Sequence, residues 1–267
     1  MDKAYKNLDF LNSRDARSLR ILAEYLEPQA RFRKYNVTDI VVFFGSARAI
    51  PKDEAETRLE AAEKAGDSKK LERARGELDL ARYYDDAREL SRMMTEWSKE
   101  LQFPDKRFIV CSGGGPGIME AANRGASEAA GISIGLGISL PQETTNNEYI
   151  TRELGFEFHY FFMRKFWFVY LAKAVVVFPG GFGTMDELFE LLTLVQTQKT
   201  GKKMPIVLYG DRFWDDVLNL EALERWGTIS PGDTDLFRVS STPQDAFDYL
   251  KSELTRLHLD DEEDDAT

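Results

Sequence analysis

Cysteine and histidine are nearly missing from this sequence of 267 residues, which has one cysteine, Cys111, and two histidines, His159 and His258. A single cysteine excludes an internal disulfide framework and fits a reducing compartment. Two histidines so far apart leave no metal-ligand spacing, so no metal is expected, and they give a Ser-His-Asp triad no support. Long hydrophobic runs are lacking as well. The longest, over 161–177, is interrupted by Arg164, Lys165 and Lys173, which argues against a membrane span. No positively charged, apolar leader opens the chain, so a cytoplasmic protein is expected. Nor is there a basic excess. The net charge of -11 speaks against non-specific binding of nucleic acid, which needs phosphate-neutralising Lys and Arg. Much of that charge sits in Asp260-Asp261-Glu262-Glu263-Asp264-Asp265, and residues 259–267 read as an acidic, disordered tail.

What is present is an alternation of short apolar runs with helical patterns. Strands are expected at 40–44, 108–111, 132–138, 174–178 and 206–209. Their β-branched runs lack polar alternation, as strands covered on both faces do. Helices are expected over 118–130, 164–172, 184–198 and 213–220. Strand, turn and helix in repetition predict an α/β protein with a doubly wound parallel sheet, over residues 37–258. Residues 1–36 read as an N-terminal extension of short helices joined by a proline and a basic turn. Residues 52–102 are too long for one crossover. They are rich in Ala, Glu, Lys, Arg and Leu, with Gly66-Asp67-Ser68 interrupting, and predict a helical hairpin inserted there.

Each glycine cluster falls where a strand meets a helix, at the sheet edge where such folds bind ligands. Gly180, Gly181 and Gly183 with Thr184 are expected to turn backbone amides into one concavity at a helix N-terminus. That is a suitable seat for a phosphate. A tight turn with a threonine cap competes with this reading. Gly113, Gly114, Gly115 and Gly117 form a second such turn, and Gly45-Ser46-Ala47-Arg48 a third, bringing a hydroxyl and a guanidinium. None matches the dinucleotide or P-loop fingerprints, so a dinucleotide oxidoreductase and a P-loop nucleotidase are disfavoured. Glu187 is placed near the crevice mouth, with a capping box to Thr184 as the alternative. Arg164 and Lys165 open another helix, where the macrodipole disfavours cations. A bound anion would account for them.

Together these residues resemble the LONELY GUY (LOG) family. Pro179-Gly180-Gly181-Phe182-Gly183-Thr184-Met185-Asp186-Glu187 matches the family's Pro-Gly-Gly-x-Gly-Thr-x-x-Glu motif, and Arg164-Lys165 its Arg-Lys pair. The resemblance spans about 38–220 and is to a longer bacterial subgroup, since the helical extension and inserted hairpin exceed those of compact members; Phe161-Phe162-Met163 also stands where those members carry Met-His. It implies a Rossmann-like fold, a homo-oligomer (dimer or higher), and a site near a subunit interface. The implied activity is that of a nucleoside 5′-monophosphate phosphoribohydrolase. Such an enzyme cuts the N-glycosidic bond of an adenosine 5′-monophosphate, plain or N6-substituted, releasing adenine or cytokinin and ribose 5-phosphate without a cofactor. Arg164 and Glu187 would be catalytic, with Arg164 helping to hold Glu187 ionised. Gly180, Gly181, Gly183 and Thr184 would hold the phosphate. Gly113, Gly114, Gly115, Gly117 and Glu120 would face ribose or phosphate, with Lys165, Ser46, Arg48, Thr193 and Asn146 as further contacts. The lysine decarboxylase label that often accompanies the family calls for a pyridoxal Schiff base. Lys165 is the one lysine near the crevice, and nothing marks a pyridinium partner.

Two other classes compete with the enzyme. One is a non-catalytic nucleotide or molybdenum-cofactor carrier on the same fold. The other makes the added helices an assembly platform through Leu19, Leu22, Tyr25 and Leu26, although a stripe at helical spacing is commonly local core.

Overall fold

The five expected runs all become strands of one sheet in a computed structural model, which describes residues 3–101, 103, 105, 107–139 and 146–260. Helices α1 (Leu8–Asn12) and α2 (Arg17–Lys34) precede β1 (Ile40–Phe44). Next come α3 (Lys52–Ala65), α4 (Ser68–Glu100), β2 (Ile109–Ser112), α5 (Ile118–Glu128) and β3 (Ser133–Ile138). They are followed by β4 (Gly155–Phe158), α6 (Phe161–Tyr170), β5 (Ala172–Val177) and α7 (Phe182–Gln196). Beyond these lie β6 (Ile206–Tyr209), α8 (Asp211–Val217), α9 (Leu220–Arg225), β7 (Arg238–Ser240) and α10 (Pro243–His258). The seven strands run parallel in the order β4-β3-β2-β1-β5-β6-β7. The protein is thus an α/β, Rossmann-like fold. The strand order reverses between β1 and β5, where such a sheet opens a crevice beyond the carboxyl ends of its strands.

Helices cover both faces. Ile40, Val42 and Phe44 pack with Trp167, Phe168 and Leu188 on one side. Val41 and Phe43 pack with Leu90, Met94, Ile118 and Leu250 on the other. Every residue of β1 is therefore buried, which is why its run carries no polar alternation.

Several boundaries and elements differ from expectation. Helix α6 begins at Phe161, and β5 already starts at Ala172. Strands β4 and β7 and helices α9 and α10 are additional to the expected elements. Strand β4 alternates in burial and β7 is a three-residue edge, so neither carries a long apolar run. The segment over 52–102 does form two helices, joined at left-handed Gly66 (φ 64°) and capped by Asp67. Yet α4 is more than half of a hairpin. It lays Tyr84, Leu90, Met94 and Trp97 into the core beside the sheet, so α4 is itself the crossover.

Pro28 lies inside α2, where a joint between short helices had been expected. Proline cannot supply the amide that would bond the carbonyl four residues back, that of Glu24. The indole N–H of Trp167 takes this carbonyl instead, at 2.9 Å. Burial of Pro28, and of Phe32 against Phe156 and Trp167, offsets the local cost. The acidic segment 261–267 lies outside the described residues.

Candidate functional site

The turns after β1 and β5 meet at the switch point, where the Ser46 amide donates to the Pro179 carbonyl at 2.9 Å. Helix α7 starts at Phe182 with Gly181 as an N-cap that has no side chain to offer. Met185 is the first amide bonded within it, to the Gly181 carbonyl at 3.0 Å. The amides of Phe182, Gly183 and Thr184 therefore have no helical partner, and the positive end of the helix dipole lies with them. Gly180, Gly181 and Gly183 are not in the left-handed region, so freedom of φ is not why glycine stands there. A Cβ on Gly180 would lie 2.1 Å from Thr184 Oγ1, whereas Cβ atoms on Gly181 and Gly183 would meet nothing within 4 Å. The first glycine lets the buried Thr184 side chain fold back onto the turn. The other two leave main chain open to approach.

These residues line a cleft of about 780 Å³ that also takes in Ser46, Arg48, Gly113, Arg164 and Glu187. Thr184 lies inside the first turn of α7 and Glu187 in the second, because the helix starts earlier than expected. The capping-box geometry weighed from sequence is thereby excluded. Glu187 is only 6% exposed. Its Oε1 is 3.7 Å from Arg164 Nη2 and its Oε2 is 3.4 Å from Lys165 Nζ. Burial raises the Glu187 pKa above the ordinary carboxylate value, and the lowering effect of Lys165 and Arg164 does not cancel it. The expectation that Arg164 holds Glu187 ionised therefore needs correcting: the cation acts in that direction, but desolvation wins. Arg164 is kept in place by aromatic rings, its guanidinium 5.1 Å from the Phe161 ring and 5.7 Å from that of Phe168.

Lys165 stands behind Glu187 and does not line the cleft. Its ammonium bonds Asp186 at 2.8 Å and Glu190 at 2.6 Å. Burial works against that charge, but these two partners outweigh it and hold the lysine pKa above its ordinary value. A lysine pinned as ammonium by three carboxylates does not fit the Schiff-base role that pyridoxal chemistry demands. Among the described residues no group of three or more His, Cys, Asp or Glu could hold a metal ion.

Of the second glycine turn only Gly113 reaches the cleft. Gly114 (φ 76°) and Gly117 (φ 73°) are left-handed, and a Cβ on Gly117 would lie 2.3 Å from the Ser46 carbonyl oxygen. Gly117 thereby helps lock two turns together, since Ile118 N–H donates to that same carbonyl at 3.0 Å. A buried polar network holds the turn. Ser112 Oγ accepts from Gly114 N–H at 3.1 Å and donates to Asn123 Oδ1 at 2.7 Å. Asn147 Nδ2 donates to the Gly114 and Gly115 carbonyls at 3.0 and 3.1 Å and to Asn123 Oδ1 at 3.0 Å.

Three more expected contacts are not brought to the cleft in this chain. Glu120 accepts from the Tyr84 hydroxyl at 2.7 Å. Asn146 lies exposed against Gly114 and Gly137. The Thr193 hydroxyl turns back to the Phe189 carbonyl at 2.7 Å, on an exposed stretch of α7. Residues the sequence reading missed form an apolar wall of Leu80 from α4 with Phe213 and Val217 from α8. Phe213 and Val217 share a helix face at i, i+4 directly after a strand, a signal that was available. Leu80, one of four leucines in a long, highly charged helix, offered none.

The family model described as "Possible lysine decarboxylase" matches residues 119–250. None of the curated proteins matches the chain. Among solved structures the chain is similar to a structural-genomics target, TM1055, at 20% identity and a TM-score of 0.49, with 80% of this chain and 99% of that one covered. It is also similar to the molybdenum cofactor carrier protein of Chlamydomonas reinhardtii, at 19% identity and a TM-score of 0.45, covering 82% and 99%. A second structure of that carrier gives 20% identity, a TM-score of 0.47 and the same coverage. No described helix is long and apolar enough to cross a membrane.

Proposed function

The chain belongs to the LOG family, whose model carries that decarboxylase description, and on this footing we propose that it is a nucleoside 5′-monophosphate phosphoribohydrolase. The observation that carries the reading is one carboxylate, Glu187, paired with the Arg164 guanidinium at 3.7 Å beside the unpartnered amides that open α7. The amides of Phe182, Gly183 and Thr184 hold the 5′-phosphate, with Arg48 at the rim. The sugar lies over Glu187 and Arg164. The base faces the wall of Leu80, Phe213 and Val217, which favours an adenine carrying an apolar N6 substituent.

In the reaction the bond from the anomeric carbon to the base nitrogen breaks, and its electron pair leaves with the base. The ribosyl group passes through an oxocarbenium-like state. A water oxygen bonds the anomeric carbon as Glu187 accepts one water proton, and the base gains a proton, giving free base and ribose 5-phosphate. The ionised carboxylate also stabilises the transient positive charge. Among the described residues lining the cleft, Glu187 is the one carboxylate, so it is the group able to return that proton. Exposed Phe162, Phe166 and Tyr170 on α6 support association with a second copy beside the site. The lone buried Cys111 is in keeping with the cytoplasm.

Incubating the protein with AMP and N6-isopentenyl-AMP and separating free base by chromatography tests the proposal. Tight nucleotide binding without turnover, unchanged by Glu187→Gln, would instead favour a carrier.

A further inference from the structure

We infer that Glu24, on the N-terminal helix α2, is a positioning residue for the Arg164–Glu187 pair, gripping α6 with both its carboxylate and its main-chain carbonyl. Glu24 Oε1 accepts from the His159 amide at 2.8 Å and Oε2 from the Tyr160 amide at 3.2 Å. These amides lead into α6, whose N-cap, Tyr160, provides no side-chain cap of its own. The Arg164 amide in turn donates to the Tyr160 carbonyl at 3.2 Å. A single residue, Tyr160, thus connects the Glu24 carboxylate to the backbone of Arg164.

The second grip depends on Pro28. In an unbroken helix the Glu24 carbonyl would bond the amide four residues on, but proline has none. The freed carbonyl accepts from Trp167 Nε1 at 2.9 Å, one turn beyond Arg164 on α6. Trp167 is 1% exposed, and Tyr25 of α2 stacks on it with ring centres 5.8 Å apart. Arg164 therefore lies between two points at which α6 is fastened to the same residue. The carboxylate also supplies negative charge at the N-terminus of α6, where Arg164 and Lys165 set positive charge against the dipole. Elsewhere on α2, Glu27 is bonded to Arg31 of the same helix at 2.5 Å and does not have this role.

This assignment rests on the hydrolase reading of the cleft. Loosening either grip lets α6 shift against α7 and spoils the approach of Arg164 to Glu187. The phosphate amides on α7 are left as they are, so turnover should suffer and KM should not. A misplacement of about 1 Å at a catalytic group can cost roughly 10²-fold in rate.

The test uses the full chain with Glu24→Ala, Glu24→Gln, Pro28→Ala and the control Glu27→Ala, assayed for base release from AMP. Melting temperature, and hydrogen exchange of peptides covering 159–170, are measured alongside. Glu24→Ala and Glu24→Gln should lower kcat at least about tenfold with KM held within about threefold, and speed exchange at 159–164. Pro28→Ala restores a helix amide that competes for the Glu24 carbonyl, so it should lower kcat while leaving α2 folded. Glu27→Ala should change neither constant. Unchanged exchange at 159–164 in both Glu24 variants overturns the inference, as does a kcat within twofold of wild type in folded Glu24→Ala. If wild type releases no base, the hydrolase reading itself has failed, and the exchange measurements alone decide whether Glu24 fastens α6.

Discussion

At Glu187, burial and charge pull in opposite directions, and burial prevails. A carboxyl whose pKa is raised on folding holds its proton more tightly in the native state than in the unfolded chain. Stability then falls as pH rises from the ordinary glutamate value through the raised one, and the full cost is present above that window. Glu187→Gln should thus melt higher than wild type at pH 7, and the gain should vanish once pH drops below the ordinary glutamate value; thermal melts at the two pH values check this. The same substitution should lower base release by roughly 10²-fold or more, since an ionised carboxylate is lost from the reacting centre. For wild type, kcat/KM should decline on acidification with a midpoint above the ordinary glutamate pKa. Leu80 makes a second residue-level case. Leu80→Ala removes apolar surface from the cleft wall and should reduce the preference for N6-isopentenyl-AMP over AMP by about tenfold, or roughly 1.4 kcal/mol. Equal preference in the variant and wild type would mean that this wall does not contact the base.

Among the elements, the turn from β5 into α7 separates folding from binding within a few residues. Gly180→Ala sets a Cβ against Thr184 Oγ1 and should destabilise by about 1–3 kcal/mol through overpacking. Gly183→Ala faces open space inside a helix. It should leave stability unchanged or raise it by up to about 1 kcal/mol, yet weaken AMP by about tenfold, or roughly 1.4 kcal/mol. Calorimetric titration with AMP, beside thermal melts, distinguishes the two. Equal affinity of Gly183→Ala and wild type would mean that no ligand approaches this main chain. The second glycine turn depends instead on Asn123, which is fully buried and bonds Ser112, Ser133, the Ile134 carbonyl and Asn147. Asn123→Ala leaves several of these partners unsatisfied and should cost about 2–4 kcal/mol, read as a lower denaturant midpoint.

For the molecule as a whole, what could be read from sequence follows from where each signal originates. Strand β1 was legible because helices cover both of its faces, leaving an unbroken apolar run. Strand β7 was not, since a three-residue edge with exposed Arg238 and Val239 has no such run. Helix α10 could have been found: Thr242 caps it, accepting from the Asp245 amide, and Pro243 occupies its first turn. In the site, the glycine motif with Glu187 and the Arg164-Lys165 pair was legible because backbone geometry and charge leave local marks. Contacts made across the fold leave none. Glu24 meets His159 across 135 positions, and the break that makes this useful, Pro28, looks in sequence like the end of a helix. The sense of the Glu187 shift was also hidden, because neighbouring cations can be read from sequence but the depth of burial cannot.

On the hydrolase reading, the Arg164–Glu187 pair beside the opening amides of α7 cleaves a nucleotide at its glycosidic bond. The most direct measurement is base and ribose 5-phosphate released from AMP and N6-isopentenyl-AMP by wild type and by Glu187→Gln. Wild type should give equimolar base and sugar phosphate, and the variant almost none despite retained nucleotide binding. No base from folded wild type with either substrate, or equal release by the two proteins, would contradict it.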